Sequence, residues 1–188
     1  MNIRGILFFI GIYALIIGIF SILNILYSIY LNFDLDINAY AITTLISFLT
    51  GIFFCYSGKS STKDISVFDQ IILILLGYFS LPALILIPYY LSVDNFTLID
   101  SYFEAISGFT TTGFSIINEI QTINEPLLLW RSSSQWLGGL FFLISTIGTL
   151  GSRRIRIKPN YLLSDSSITG NFYNNFNSNF LKIFLIYF

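Results

Sequence analysis

Residues 5 to 31 carry no charged side chain, and two further uncharged runs follow at Ile37 to Gly58 and Gln70 to Val93. A bilayer core of about 30 Å takes about 20 apolar residues at about 1.5 Å each, so each run is long enough to cross as a helix. The chain has 188 residues, 55% hydrophobic and 10% charged, against about 25% charged in an average soluble domain. These runs demand lipid. Arg4 ahead of the first run also fits a signal peptide, but the run exceeds the usual apolar region of such a leader and has no small-x-small exit. It reads as the first membrane helix.

Chemistry that needs histidine or paired cysteines is excluded, because the chain has no histidine and one cysteine, Cys55. Cys55 lies in an apolar run and reads as a small buried residue. The acids are scattered among connections, so an enzyme is not expected.

The third run contains Pro82 and Pro88, each of which removes a backbone donor and bends the helix. The next apolar stretch, from Leu98, is too short to cross and contains Asp100 and Glu104. Thr97-Leu98-Ile99-Asp100 has the pattern of a capped helix start, which predicts a half-length helix over about 98–107 ended by Gly108. A strip over 109–115, expected as an extended strand, then returns over a similar depth. Pro126 fits the first turn of a new helix, with Leu127 to Leu150 as the last complete span.

With the N-terminus inside, Arg4, Lys59, Lys63, Arg153, Arg154, Arg156, Lys158 and Lys182 all fall on the cytoplasmic side and Arg131 alone outside, as the Lys/Arg bias requires. The predicted organisation is two leading helices with short connections (1–66), a helix–pore loop–helix repeat (67–158), and a polar cytoplasmic linker with the start of another membrane helix (159–188). The fold class is thus an all-α membrane protein with a re-entrant loop. The apolar stretch from Phe180 to Phe188 is too short to span, so the full protein is expected to be longer.

A permeating cation sheds water, and backbone carbonyls replace that shell without a fixed charge that would trap the ion. The strip offers such carbonyls at Thr110, Thr111, Thr112, Gly113 and Phe114, and Gly113 permits torsions that a β-carbon forbids. Irregular backbone at membrane depth needs a protein or water-filled surround, so one such unit requires other walls about an axis.

The segment FEAISGFTTTGFS followed by WRSSSQWLGG resembles the first pore repeat of the Trk/Ktr/HKT superfamily of potassium transporters, most closely the bacterial Trk-type subunit. The resemblance covers Met1 to Phe188 as two leading helices, one repeat and the start of a second. It implies potassium transport across the plasma membrane, the inner membrane of a bacterium, through four non-identical strips around one path. It also implies a homodimer of the full-length subunit and a cytoplasmic nucleotide-binding regulatory subunit. By position, Thr110 to Gly113 match the family's filter and Gly113 its filter glycine, which goes with potassium where serine goes with sodium. Phe114 is bulkier than the small residue often found there. A non-transporting scaffold, or a degenerate fragment assembling with other pore-forming chains, is the alternative.

Around the strip several side chains admit two roles. Trp130 suits an interfacial aromatic belt, and Trp136, deeper, suits helix packing. Arg131 either snorkels to the surface or anchors the loop through carbonyls or Glu104. Glu104 is either a functional acid at membrane depth or a solvated group in a vestibule. Gly138-Gly139, with Gly5, Gly11 and Gly18, read as sites of close helix packing. The basic cluster from Arg153 to Lys158 marks the cytoplasmic side and offers a contact for anionic lipid.

Overall fold

Each uncharged run folds as helix. The computed structural model describes residues 2–32, 34–59, 66–117 and 123–151. Among these are six α-helices and no strand: α1 (Ile3–Tyr30), α2 (Asp34–Gly58), α3 (Val67–Ser80), α4 (Pro82–Ser92), α5 (Leu98–Phe109) and α6 (Glu125–Gly151). The basic cluster at 153–158 and the expected segment at 159–188 lie outside the described residues.

The first two helices run antiparallel with their backbones in close approach, because small residues recur along the seam. A β-carbon on Gly11 would sit 2.9 Å from the Gly51 carbonyl oxygen, and one on Gly58 would fall against the carbonyl of Arg4. Gly18 faces the Phe48 ring in the same way. In lipid, where apolar surface gains nothing by leaving the solvent, such backbone proximity is what dispersion rewards. Ser21 adds a hydrogen bond across the seam, donating to the Tyr40 carbonyl at 2.7 Å. On the far side of α2, Leu45, Leu49, Ile52, Phe53 and Tyr56 are exposed, an apolar surface that suits lipid contact.

The third run is divided into α3 and α4, yet Leu81 between them keeps helical torsions (φ −67°, ψ −37°) and the whole forms one span, Phe68–Ser92. α3 starts at a capping box in which Ser66 receives the Asp69 N–H and Asp69 receives the Ser66 N–H, which satisfies two donors that a helix start leaves free. Asp69 also accepts from the Asn2 backbone N–H at 3.0 Å, so the starts of α1 and α3 are tied at one end of the bundle. The division falls at Leu81, with Pro82 opening α4 and Pro88 inside it. Proline has no N–H to give the end of α3, and the Tyr102 hydroxyl of α5 donates to a carbonyl there, on Phe79, at 2.9 Å.

Among the described residues, three segments are long and apolar enough to cross a membrane: Ile3–Tyr30, Ile37–Gly58 and Phe68–Ser92, the last spanning both α3 and α4. α6 was expected as a fourth. It forms as a helix of 27 residues, but Arg131 to Gln135 make its first half too polar to join that group.

The helices meet around Phe141. Its ring lies 4.8 Å from Tyr13 of α1, 5.1 Å from Tyr78 of α3 and 5.6 Å from Phe109 of α5. Gly77 makes room, since a β-carbon there would strike the Phe141 ring. Trp136 packs on Phe20 of α1 at 5.2 Å. Trp130 packs inside the bundle and not in a lipid-facing belt: it is 1% exposed, lies 5.7 Å from Tyr40, and donates its indole N–H to the Ile85 carbonyl at 3.0 Å.

Candidate ion-binding loop

Thr97 caps α5 as its sequence pattern predicts, receiving the Asp100 N–H while Asp100 accepts from the Thr97 hydroxyl and N–H at 2.6 and 3.0 Å. Those bonds hold the Asp100 carboxyl below the usual carboxylate range. The helix then runs past its expected stop, through Gly108 to Phe109. Gly108 serves packing instead, because a β-carbon there would collide with Ser134 Oγ of α6. One turn along α6, a β-carbon on Gly138 would land on the Phe109 carbonyl. The end of α5 thus rests backbone to backbone on the middle of α6.

At that end the chain reverses. The Thr111 N–H donates to the Gly108 carbonyl at 2.9 Å and the Thr112 N–H to the Ser107 carbonyl at 3.0 Å, the paired bonds of a Schellman stop. The Gly113 N–H also reaches Ser107, at 3.2 Å. Two residues are left-handed, Thr111 with φ 58° and Gly113 with φ 79°. The expected extended strand over 109–115 is therefore a tight turn leading into irregular chain. Glycine holds such a torsion without cost, but a β-branched residue does not. Thr111→Gly is expected to raise stability by about 1 kcal/mol, read as a higher unfolding midpoint in detergent, with no gain if the torsion carries no strain.

After the turn the irregular chain climbs back beside α5 and α6 and meets a buried ion pair. Arg131 of α6 donates to Glu104 of α5 at 2.8 Å, with side chains 12% and 1% exposed. Glu104 also accepts from Ser115 Oγ at 2.6 Å and from the Ile116 N–H at 2.7 Å. Arg131 reaches Ser115 Oγ at 2.9 Å, the Gly113 carbonyl at 3.2 Å and the Phe114 carbonyl at 3.4 Å. Of its two roles Arg131 takes the anchoring one, and Glu104 is buried against the loop and not a solvated vestibule group. Charges so placed persist only when their hydrogen bonds are filled, and here the loop's main chain fills them.

The five nominated residues are all exposed on the loop. Among the described residues, no donor lies against the carbonyls of Thr110, Thr111 or Thr112, whereas those of Gly113 and Phe114 accept from Arg131 and that of Phe114 also from Ser107 Oγ at 2.6 Å. The threonine hydroxyls turn to each other, 2.6 Å apart between Thr110 and Thr112, and Thr110 donates back to Ile106. A groove of about 260 Å³ runs alongside, lined by Phe103, Ile106, Ser107, Thr110, Thr112 and Phe114. No cluster of acids, histidines or cysteines able to hold a metal occurs among the described residues.

No protein-family model and no solved structure matches the chain. Curated proteins do match. An uncharacterized cation transporter of Methanocaldococcus jannaschii is 32% identical over 149 residues, which is 76% of this chain and 30% of that protein. The Trk system potassium uptake protein TrkG of Escherichia coli is 29% identical over 106 residues, 53% of this chain and 22% of that protein. The potassium uptake protein TrkI of Halomonas elongata is 30% identical over 82 residues, 44% of this chain and 17% of that protein. These matches support the resemblance to Trk-type transporters. The chain spans 30% or less of the length of these three relatives. Their names are those of transporters and not of enzymes, and with three segments fit to cross a membrane among its described residues the chain is a membrane protein.

Proposed function

We propose that this chain supplies one wall of a potassium-conducting path, with α5 and the following strip dipping into the membrane from outside and returning to the same face. The observation that carries the proposal is the turn at Thr110 to Gly113. It lies at the C-terminal end of a half-length helix, against the middle of a long one, with three main-chain carbonyls unclaimed among the described residues. Carbonyls so held suit a dehydrated monovalent cation, and the C-terminal end of α5 adds its negative dipole. Trk-named relatives make potassium the favoured ion. Of the five nominated residues, Thr110, Thr111, Thr112 and Gly113 are the proposed ligands by backbone oxygen, since the Phe114 carbonyl is already held by Ser107 Oγ and Arg131. Three equivalent strips would complete the ring, with the N-terminus and basic cluster cytoplasmic. A homodimer of the full subunit and a cytoplasmic nucleotide-binding partner belong to the same proposal.

Gly113→Ser tests it. The nearest atom to a β-carbon there is Gln135 Nε2 at 4.0 Å, so serine has room, but φ of 79° is a torsion it resists. Liposomes holding the complete transporter are expected to lose potassium-over-sodium preference by about tenfold, equivalent to about 1.4 kcal/mol of differential binding. Unchanged flux and unchanged preference would count against the proposal.

A further inference from the structure

We infer that the Arg131–Glu104 pair is a positioning device that sets the outer limit of the cation-binding strip and cancels its own charge there. The inference rests on the pore-loop proposal. The pair reaches four consecutive residues of the returning chain. One guanidinium nitrogen holds Glu104 and Ser115, while the other holds the carbonyls of Gly113 and Phe114. The second carboxylate oxygen holds Ser115 and the Ile116 N–H. The planar fork of arginine can serve acid and carbonyls together, which the point donor of lysine cannot.

The Phe114 carbonyl has a further partner, Ser107 Oγ at 2.6 Å, so this oxygen faces back toward α5. Phe114 therefore closes the strip, and the oxygens left to a cation are those of Thr110 to Thr112, with Gly113 shared with Arg131. The charges matter equally. A lone guanidinium beside the path would repel a cation, and a lone carboxylate would attract any monovalent cation with little regard for size. Together they present a dipole whose field falls off quickly.

This arrangement predicts opposite effects from the two neutralising changes, which a purely structural role would not produce. Liposomes holding the complete transporter would be assayed for apparent potassium KM and for potassium-over-sodium preference, in wild type, Glu104→Gln, Arg131→Gln and Arg131→Lys. Glu104→Gln is expected to raise KM and Arg131→Gln to lower it while eroding the preference. Arg131→Lys keeps the charge pair and is expected to lower the preference by about tenfold with KM little changed. Where the neutral variants do not accumulate, Arg131→Lys decides alone. KM shifts of the same sign in the two neutral variants, or wild-type preference in Arg131→Lys, would overturn the inference. Gly113→Ser, run beside them, separates the two levels: if it alters preference and Arg131→Lys does not, only the positioning role is lost. If Gly113→Ser changes nothing, the pore-loop proposal itself falls.

Discussion

Alanine at Gly138 is expected to unseat the end of α5. The added methyl would occupy the position of the Phe109 carbonyl oxygen and crowd the Phe109 Cα at 2.9 Å. Main-chain atoms cannot move aside as a side-chain rotamer can, so α5 or α6 must shift. Overpacking of this kind costs about 1–3 kcal/mol, and more where backbone is struck. The shift would reach the turn directly, because Thr111, Thr112 and Gly113 donate to carbonyls of the last helical turn. Hydrogen exchange gives the measurement: the amides of Thr111 to Gly113 should exchange faster in Gly138→Ala, and potassium flux should fall with them. Unaltered protection would mean that α5 does not depend on this contact.

Glu104→Ala is expected to be the most destabilising single change in the loop. It strips the Arg131 guanidinium of its counter-charge, where the Arg131 side chain is only 12% exposed, and it frees Ser115 and the Ile116 N–H together. Breaking one side of a buried pair costs about 3–5 kcal/mol, whereas replacing both sides with apolar groups of similar volume is often neutral. The double variant Glu104→Leu with Arg131→Met should therefore recover most of the midpoint lost by Glu104→Ala in a detergent melting experiment. Equal loss in the single and double variants would show that packing, not charge, dominates at this site.

Much of the fold was legible in order and spacing. Uncharged runs located α1, α2 and the α3–α4 pair because lipid admits few other solutions for such sequences. The Thr97–Asp100 box located the start of α5, since a cap is a local interaction over three residues. Gly113 was legible for the same reason, as a single residue whose torsion the sequence makes permissible. What escaped was pairwise. Gly108 looked like a helix stop, yet its role depends on Ser134 of another helix. Thr111, not a glycine, takes the left-handed position of the stop, and no propensity rule would choose a β-branched residue there. Arg131 could reach either the surface or Glu104, and only the meeting of α5 with α6 decides between them. Trp130 suited a belt until the carbonyl of Ile85 was found beside its indole.

The first helix has a consequence for biogenesis. α1 contacts α2, α3, α4 and α6, and it comes off the ribosome before all of them. Its seam with α2 can zip as soon as that hairpin enters the bilayer. Tyr13 and Phe20, however, wait for Phe141 and Trp136 on the last described helix. During that interval one flank of α1 must be sheltered by lipid or by the insertion machinery, so the earliest of the described helices to be made is among the latest to reach its final neighbours.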